Sequence, residues 1–573
     1  MKILLNELTK HKISILLILV GTYISTTFEL ILPLLLANAL NVGIIQNYGL
    51  EYIKNIATMM LTLVIISIIL NIIVNFLITR VSTYCAHNIR NDLFSKVLTL
   101  KNKEFKNFPV SSLITRTNQD TEQVKNFISS FLSTIFKGPI LLISCITVLK
   151  TLNSSYFMLI LVSVMILLLF LAIVIYKLMP ISKKLEISLD NLNKHLNEKI
   201  SGFKLIKSYN NLELENSKFE KENKNHLILS KKVIKYSSFI NPFLNLIVNS
   251  ITIIILSMSL NLVKTNAMEA GTIIATIQYI LQLLLSIVMI SLLTINIPTI
   301  KISLNRIQEV LNANSFENET QDIELNINSI SFENLSFSYN RDTSLLKNIN
   351  FSINKGENLG ILGLNGSGKS TIFKLLMKEL DLEKGIIKIN DININELTRK
   401  NITSKITYIP QKPYILKGTI LENIAFANNQ LNMNDIAKII HTCNLENFIL
   451  EKKEQLNYLL QEDGANLSGG QKQRISLARA LARNKDFLIL DEPFSALDYK
   501  TENEIITKLN QYYKETTFVI ISQRISSILR CNQIIVMDKG EIIAKGTHEE
   551  LLNNCELYKE IFSLQKEVIE YDI

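Results

Sequence analysis

Six apolar runs, near residues 13–40, 56–79, 128–149, 156–178, 239–263 and 271–297, dominate the first half of the chain. Each is long enough to cross a bilayer as a helix, which takes roughly 20 residues. The first follows Lys2, Lys10 and Lys12 as a signal peptide would, but its apolar stretch continues through ELILPLLLANAL and five more runs follow. It reads as a retained span. The second and third runs, and the fourth and fifth, are joined by connections of about 50–60 residues that keep helical periodicity; at roughly 1.5 Å per residue they predict arms reaching some 30 Å past the membrane. Pro109 in FKNFPVSSLITR (Phe105 to Arg116) and Gly202 in ISGFKLIKSYN (Ile200 to Asn210) interrupt the pattern and mark the tips. Beyond about residue 310 the spans stop, β-type alternation appears in IELNI and FENLSFSY, and Gly-punctuated βα units follow. The pattern predicts an all-α six-helix membrane domain over 1–310, a polar linker over 311–328 centred on Asn312 to Asp322, and an α/β domain over 329–573.

Composition sharpens this division. A length of 573 residues alone would suggest about four domains. Hydrophobic residues make up 48% and charged ones 19%, below the roughly 25% charged of soluble domains, so the chain is neither disordered nor highly charged. Cys85, Cys145, Cys443, Cys531 and Cys555 form no CxxC and read as free thiols. The net charge of +9 would suggest a nucleic-acid partner if it formed one basic face. Instead Arg80, Arg90, Lys96, Lys101, Lys103, Lys106, Arg116 and Lys125 occupy the loop after the second run, and thirteen lysines lie between Lys177 and Lys235. The short connections near Asn47, Asn153 and Asn266 carry little charge. By the positive-inside rule both long loops, and with them both termini, are cytoplasmic, and no nucleic-acid partner is expected.

Three motifs carry chemistry in the second half. GLNGSGKST, Gly363 to Thr371, follows the strand-like NLGIL and leads into the helical IFKLLMKEL, the context a phosphate-binding loop requires. Backbone N–H groups around Gly363, Asn365, Gly366, Ser367 and Gly368 can converge on phosphate oxygens. Lys369 can neutralise the β- and γ-phosphates, Ser370 can ligate Mg²⁺, and Thr371 closes the motif. FLILDE, Phe487 to Glu492, is an apolar strand ending in two carboxylates, with Asp491 a candidate Mg²⁺ holder and Glu492 a candidate general base. LSGGQKQR places Ser468, Gly469, Gly470 and Gln471 at a second anion-binding helix N-terminus in the same domain.

GLNGSGKST, LSGGQ and FLILDE, in that order and spacing, resemble the nucleotide-binding domain of ABC transporters, and the six preceding runs with two long loops look like a type IV (B-family) exporter half-transporter. The resemblance covers essentially the whole chain and implies a multidomain membrane protein whose α/β P-loop NTPase binds ATP and Mg²⁺. It implies that Tyr339 stacks on adenine, that Gln411 in YIPQKPYIL contacts Mg²⁺ and senses the membrane domain, and that Asp498 in SALD belongs to the loop following the carboxylates. It further implies head-to-tail pairing of two such domains, each LSGGQ completing the other's phosphate site.

One position departs from the family pattern. FVIISQRISSI carries Gln523 where members usually have His. Gln donates a hydrogen bond but takes up no proton near neutral pH, so hydrolysis at this chain's own site is in question despite Glu492. The expectation is a heterodimer in which this LSGGQ serves a second half-transporter, a homodimer being the alternative. Within the spans, Asn71, Asn75 and Thr79, then Asn241, Asn245 and Asn249, then Gln278, Gln282 and Ser286 form polar faces expected to point inward. Glu29 in FELILP is the most conspicuous acid in a span, a candidate contact for a cationic substrate or a proton, or a paired carboxylate near Pro33. An uncharged amide lining suits amphipathic drugs, peptides or lipids, and few residues precede the first span, so no leader-peptidase domain is expected. The predicted activity is ATP-driven efflux through a plasma membrane, the Ile, Lys and Asn enrichment pointing to a bacterial source. A regulatory or channel subunit with weak hydrolysis, and an importer on the exporter fold, are the alternatives.

Overall fold

The computed structural model describes residues 2–46, 48–152, 154–264, 269–315, 325–339, 344–428 and 430–571. The connections at Asn47, Asn153 and Asn266, and most of Asn312 to Asp322, lie outside the described residues. The chain divides into two compact units, Met1–Leu98 with Phe108–Ala313, and Thr99–Asn107 with Asn314–Ile573.

Among the described residues, the first unit holds six helices long and apolar enough to cross a membrane. The first span, Lys12–Asn38, runs on through a π-helical turn, Ala39–Ile45. The second, Leu50–Thr99, has 50 residues, about 75 Å at 1.5 Å per residue. The third is Thr121–Leu152, the fourth Ser154–Ser201, the fifth Leu212–Ser238 followed by Ile240–Lys264, and the sixth Ala270–Asn312. Short helices stand at the expected tips: Asn102–Asn107 and Val110–Thr115 on either side of extended Pro109 (ψ 141°), and Phe203–Ser208 after Gly202. Two apolar clusters hold the bundle, one around Leu141, Leu171, Ile251 and Leu283, the other around Val81, Ile89, Ile128 and Leu304. The first and sixth spans approach so closely that a Cβ on Gly271 would lie 2.4 Å from the Ala37 carbonyl oxygen. There Asn41 Oδ1 accepts the Gly271 N–H at 2.7 Å, and the Tyr279 hydroxyl donates to the Leu30 carbonyl.

The polar faces divide. Ser286 is buried and Gln278 and Gln282 half-buried, but Asn75, Thr79, Asn241, Asn245 and Asn249 are exposed on the single chain. The fifth span packs through Ile240, Ile247, Ile251 and Ile255, a face about 125° away from its asparagines at about 100° per residue, so the amides are not turned into this chain's own bundle. Glu29 is paired: its Oε1 lies 3.0 Å from Lys137 Nζ.

The strands of the second unit are β1 (Ser329–Phe337), β2 (Leu346–Asn354), β3 (Leu359–Gly363), β4 (Lys384–Ile389), β5 (Ile392–Asn393), β6 (Ile406–Ile409), β7 (Gly418–Thr419), β8 (Leu459–Leu460), β9 (Phe487–Asp491), β10 (Thr517–Ser522), β11 (Gln533–Asp538) and β12 (Glu541–Gly546). They form a six-stranded sheet in the order β12-β11-β3-β10-β9-β6, a four-stranded antiparallel sheet β2-β1-β4-β5 and a small β7-β8 pair. Within the large sheet β11, β3, β10, β9 and β6 are parallel and only β12 is antiparallel. Every residue of β3, β9 and β10 is buried, as befits parallel strands covered on both faces. Their register sets Leu362 beside Ser522 and Asp491 beside Ile521. The loops leaving three adjacent strands thus open at one edge of the sheet, where ligands bind in open α/β folds. The turn Thr99–Asn107 clusters with this unit through Lys101, 3.8 Å from Asp381, and Glu104, which accepts from Asn314 at 2.9 Å.

Candidate functional site

The loop leaving β3 depends on two glycines in left-handed conformation, Gly366 (φ 84°) and Gly368 (φ 95°); a Cβ on Gly368 would also lie 2.5 Å from Leu346 Cδ2. A helix begins at Lys369 and runs to Leu376. Buried Lys369 folds back to donate to the carbonyls of Gly363 (2.7 Å) and Leu364 (3.0 Å). Burial holds its ammonium below the ordinary value, while Glu492 and Asp491 pull the other way. Ser367 Oγ is buried with no hydrogen-bond partner. An incoming phosphate would take over both the lysine and the free N–H groups. Tyr339 stands at the rim, half exposed, edge-on to Phe337 and 3.5 Å from Thr371 Oγ1.

β9 delivers the two carboxylates. Asp491 is buried and accepts from the Tyr408 hydroxyl through Oδ2 at 2.8 Å, while Oδ1 has no partner. A buried, orphaned carboxylate oxygen close enough to Lys369 to interact electrostatically is the donor type Mg²⁺ takes, and the site's residues fit that ion. Glu492 sits in left-handed conformation (φ 50°), its N–H tied to Ile521 of β10 at 2.9 Å. Such a backbone in a residue other than glycine is strained and holds the side chain in a set direction. Burial raises its carboxyl above the ordinary range, with the Gln523 donor and the Lys369 charge opposing the shift and Asp491 adding to it.

Gln523, after β10, donates through one amide nitrogen to Asn365 Oδ1 (2.7 Å) and Glu492 Oε1 (3.1 Å). The amide therefore links the phosphate loop to the carboxylate. Gln411 and Glu492 line a cavity of about 10 Å³ together with Gln473 and Ser476, close to the space one water needs.

The remaining expected residues stand elsewhere. Ser468 N-caps the helix Gly469–Ala482 and shares a capping box with Gln471. A Cβ on Gly470 would lie 2.9 Å from Leu497 Cδ2, and one on Gly469 3.3 Å from Ala496 Cβ, so both glycines permit close packing on the loop after Glu492. Asp498 N-caps Tyr499–Tyr512 by accepting from Thr501 N at 2.9 Å, which lowers its pKa. Among the described residues no hydrogen bond joins Ser468–Gln471 to Gly363–Thr371.

Four residues that hold the site escape the sequence reading. Besides Tyr408, Gln473 bonds Ser495 Oγ (2.8 Å) and Ala496 N (2.9 Å), and Arg524 bonds the carbonyls of Ser495 and Leu497 and the buried Glu502. Gln565, on the C-terminal helix Glu556–Tyr571, donates to the Gln523 carbonyl (3.0 Å) and accepts the Ile525 N–H (2.9 Å). Gln473 and Arg524 adjoin motifs and carried that much signal. Gln565 is one polar residue of an amphipathic helix and carried none.

Residues 15–287 match the family model of the ABC transporter transmembrane region, and residues 346–495 match the one described as ABC transporter. The uncharacterized ABC transporter ATP-binding protein YfiB of Bacillus subtilis is 32% identical over 539 residues, 94% of each chain. A putative export ATP-binding/permease protein of Rickettsia felis is 30% identical over 573 residues, 97% of each. A solved bacterial Atm1-family ABC exporter with ATP bound has the same fold, with a TM-score of 0.84 at 21% identity over 96% of this chain and 98% of that one.

Proposed function

The chain belongs to the ABC transporter family, and from that premise we propose that it is one half of a dimeric exporter that moves amphipathic molecules across the plasma membrane of a bacterium, with both termini cytoplasmic. The convergence of Lys369, Asp491, Glu492 and Gln523 at the end of β9 and in the segments that follow β3, β9 and β10, on a chain with six membrane-length helices, carries the reading. Residues 1–310 hold the cargo pathway, 311–328 connect, and 329–573 bind ATP.

The loop Gly363–Thr371 cradles the triphosphate and Tyr339 takes adenine. Ser370, Asp491 and Gln411 would hold Mg²⁺, which would supply charge neutralisation on the triphosphate. Glu492 accepts the proton of the attacking water, and Gln523 turns from Asn365 and Glu492 toward the γ-phosphate. Ser468, Gly469, Gly470, Gln471 and Asp498 face a second half-transporter, consistent with Ser468 and Gly469 being exposed. ATP-driven closure and its release by hydrolysis move the tips Phe105–Arg116 and Ile200–Asn210 and with them the spans.

Gln523 favours a heterodimer whose strong hydrolytic site lies on the partner, this chain lending its signature helix. Purification of this chain alone and together with a candidate second half-transporter from the same cell, then ATP-dependent uptake of a fluorescent amphiphile into inside-out vesicles, tests the reading. Uptake is expected only with the pair. A dimer of this chain alone with full ATPase activity, abolished by Glu492→Gln, would exclude the heterodimer, and hydrolysis without uptake of any amphiphile would exclude export.

A further inference from the structure

Charged side chains meet inside the first three apolar runs. Glu29 Oε1 lies 3.0 Å from Lys137 Nζ and accepts from Asn71 Nδ2 at 3.4 Å, and Asn71 Nδ2 lies 3.5 Å from Ser67 Oγ. Glu29, Asn71 and Lys137 fall well inside the apolar runs 13–40, 56–79 and 128–149 respectively, where an ionised group is costly. Glu29 shares its helix face with Thr22, Ser25, Thr26 and Pro33, all buried. Yet the side chains of Glu29 and Lys137 remain 29% and 27% exposed. The pair therefore keeps open surface on the single chain although the residues around Glu29 on its helix face are packed, and a further charged or polar group can reach both side chains.

We propose that Glu29, Lys137 and Asn71 form the head-group end of the substrate site, and that the substrate is a zwitterionic amphiphile. A lone cation pairs with Glu29 only by stripping Lys137 of its partner, and a lone anion does the reverse, each leaving an uncompensated charge inside the membrane. A head group carrying both charges a few ångströms apart replaces both contacts at once, with the Asn71 amide as a further donor. The tail then lies along apolar helix surface. This rests on the export reading and names the cargo class that reading leaves open.

The test uses the full-length protein, with its partner half where one co-purifies, in nanodiscs without nucleotide. Octylphosphocholine, octyltrimethylammonium and octanoate are the probes. Octylphosphocholine is expected to bind about tenfold tighter than either singly charged probe. Glu29→Gln is expected to shift the preference to octanoate, and Lys137→Gln to octyltrimethylammonium. The double variant Glu29→Gln with Lys137→Gln leaves no unpaired charge and remains informative should the single variants misfold; it is expected to lose the phosphocholine preference. Equal binding of the three probes to the parent protein, or an unchanged ranking in the double variant, would overturn the proposal and leave the pair a structural one. Failure of the export reading shows differently: the binding preference persists, but no probe is taken up by inside-out vesicles on addition of ATP.

Discussion

Ionisation of Glu492 is opposed by burial and by Asp491 and favoured by the Gln523 amide and Lys369, and burial wins, so the carboxyl holds its proton above the ordinary 4.5. A folded-state pKa above the unfolded one means that the native state binds more protons between the two values. The stabilisation this gives is complete below the unfolded pKa and is lost as pH rises through the folded one. At neutral pH the buried carboxylate is therefore a net cost. Glu492→Gln, which keeps the shape without the charge, is expected to raise the melting temperature of the nucleotide-free protein at pH 7.5 and to leave it nearly unchanged near pH 4.5. A thermal-shift series across that range checks this, and a fall at pH 7.5 would contradict it. Gln523 raises a second question at the same scale. Its amide nitrogen already serves Glu492 and Asn365, and unlike imidazole it takes up no proton between pH 5 and 8. Gln523→His is expected to raise hydrolysis at this chain's own site, on the order of 10²-fold if a proton-carrying switch residue is what the site lacks. It should also introduce an inflection between pH 6 and 7. Single-site turnover against pH, with Glu492→Gln in the same background as the inactive control, measures both.

The C-terminal helix Glu556–Tyr571 acts on the site through one side chain. Gln565 grips the backbone on both sides of the switch, at the Gln523 carbonyl and the Ile525 N–H, and so fixes the direction in which the Gln523 amide leaves β10. Two such bonds contribute about 1 kcal/mol each, enough to bound the loss at roughly tenfold to thirtyfold. Gln565→Ala is expected to lower turnover by about tenfold with little change in KM for ATP, because Gln565 bonds the Gln523 switch and not the loop Gly363–Thr371, the proposed phosphate cradle. A general loss of stability would move both constants, and Gln565→Glu, which keeps the acceptor but not the donor, is expected to fall between. This contact also shows what a sequence can and cannot disclose. Lys369, Asp491, Glu492 and Ser468 were readable because each sits in a short motif whose strand or helix context is local. Tyr408 reaches Asp491 across 83 positions and Gln565 reaches Gln523 across 42, and those contacts exist only once the parallel order β3-β10-β9-β6 has set neighbouring strands side by side. The same holds in the membrane unit. Glu29 stood out as an acid in an apolar run, but Lys137 lies 108 residues away, and nothing in either run says that they meet. The asparagine ladder of the fifth span was visible from its spacing, whereas the isoleucine face that packs instead of it had to be seen in the helix.

At the scale of the whole molecule, among the described residues no hydrogen bond joins the helix N-terminus Ser468–Gln471 to the loop Gly363–Thr371, and in the proposed dimer the two act together between chains. Ser468 and Gly469 are exposed at their helix N-terminus, and the exposed asparagines of the fifth span leave amides without cover in a setting where lipid cannot supply it. Both observations call for a second half-transporter, and the identity of that half decides which residues of this chain matter most. In a heterodimer whose partner carries the strong hydrolytic site, this chain contributes Ser468 to that site and Glu492 only to the weak one. Ser468→Arg is then expected to remove nearly all ATPase activity of the complex, by filling the anion-binding helix N-terminus with a charged side chain, while Glu492→Gln leaves the greater part. In a homodimer each substitution disables both sites. Co-expression of the two variants would then restore activity, because the mixed dimer pairs an unaltered phosphate loop with an unaltered signature at one site and concentrates both defects at the other. Steady-state ATPase rates of the two single variants and of the co-expressed mixture therefore separate the cases. The heterodimer requires unequal losses and no rescue, and equal losses with rescue to about a quarter of the activity per dimer, half the dimers being mixed and each of those keeping one of its two sites, would establish that two copies of this chain form the transporter.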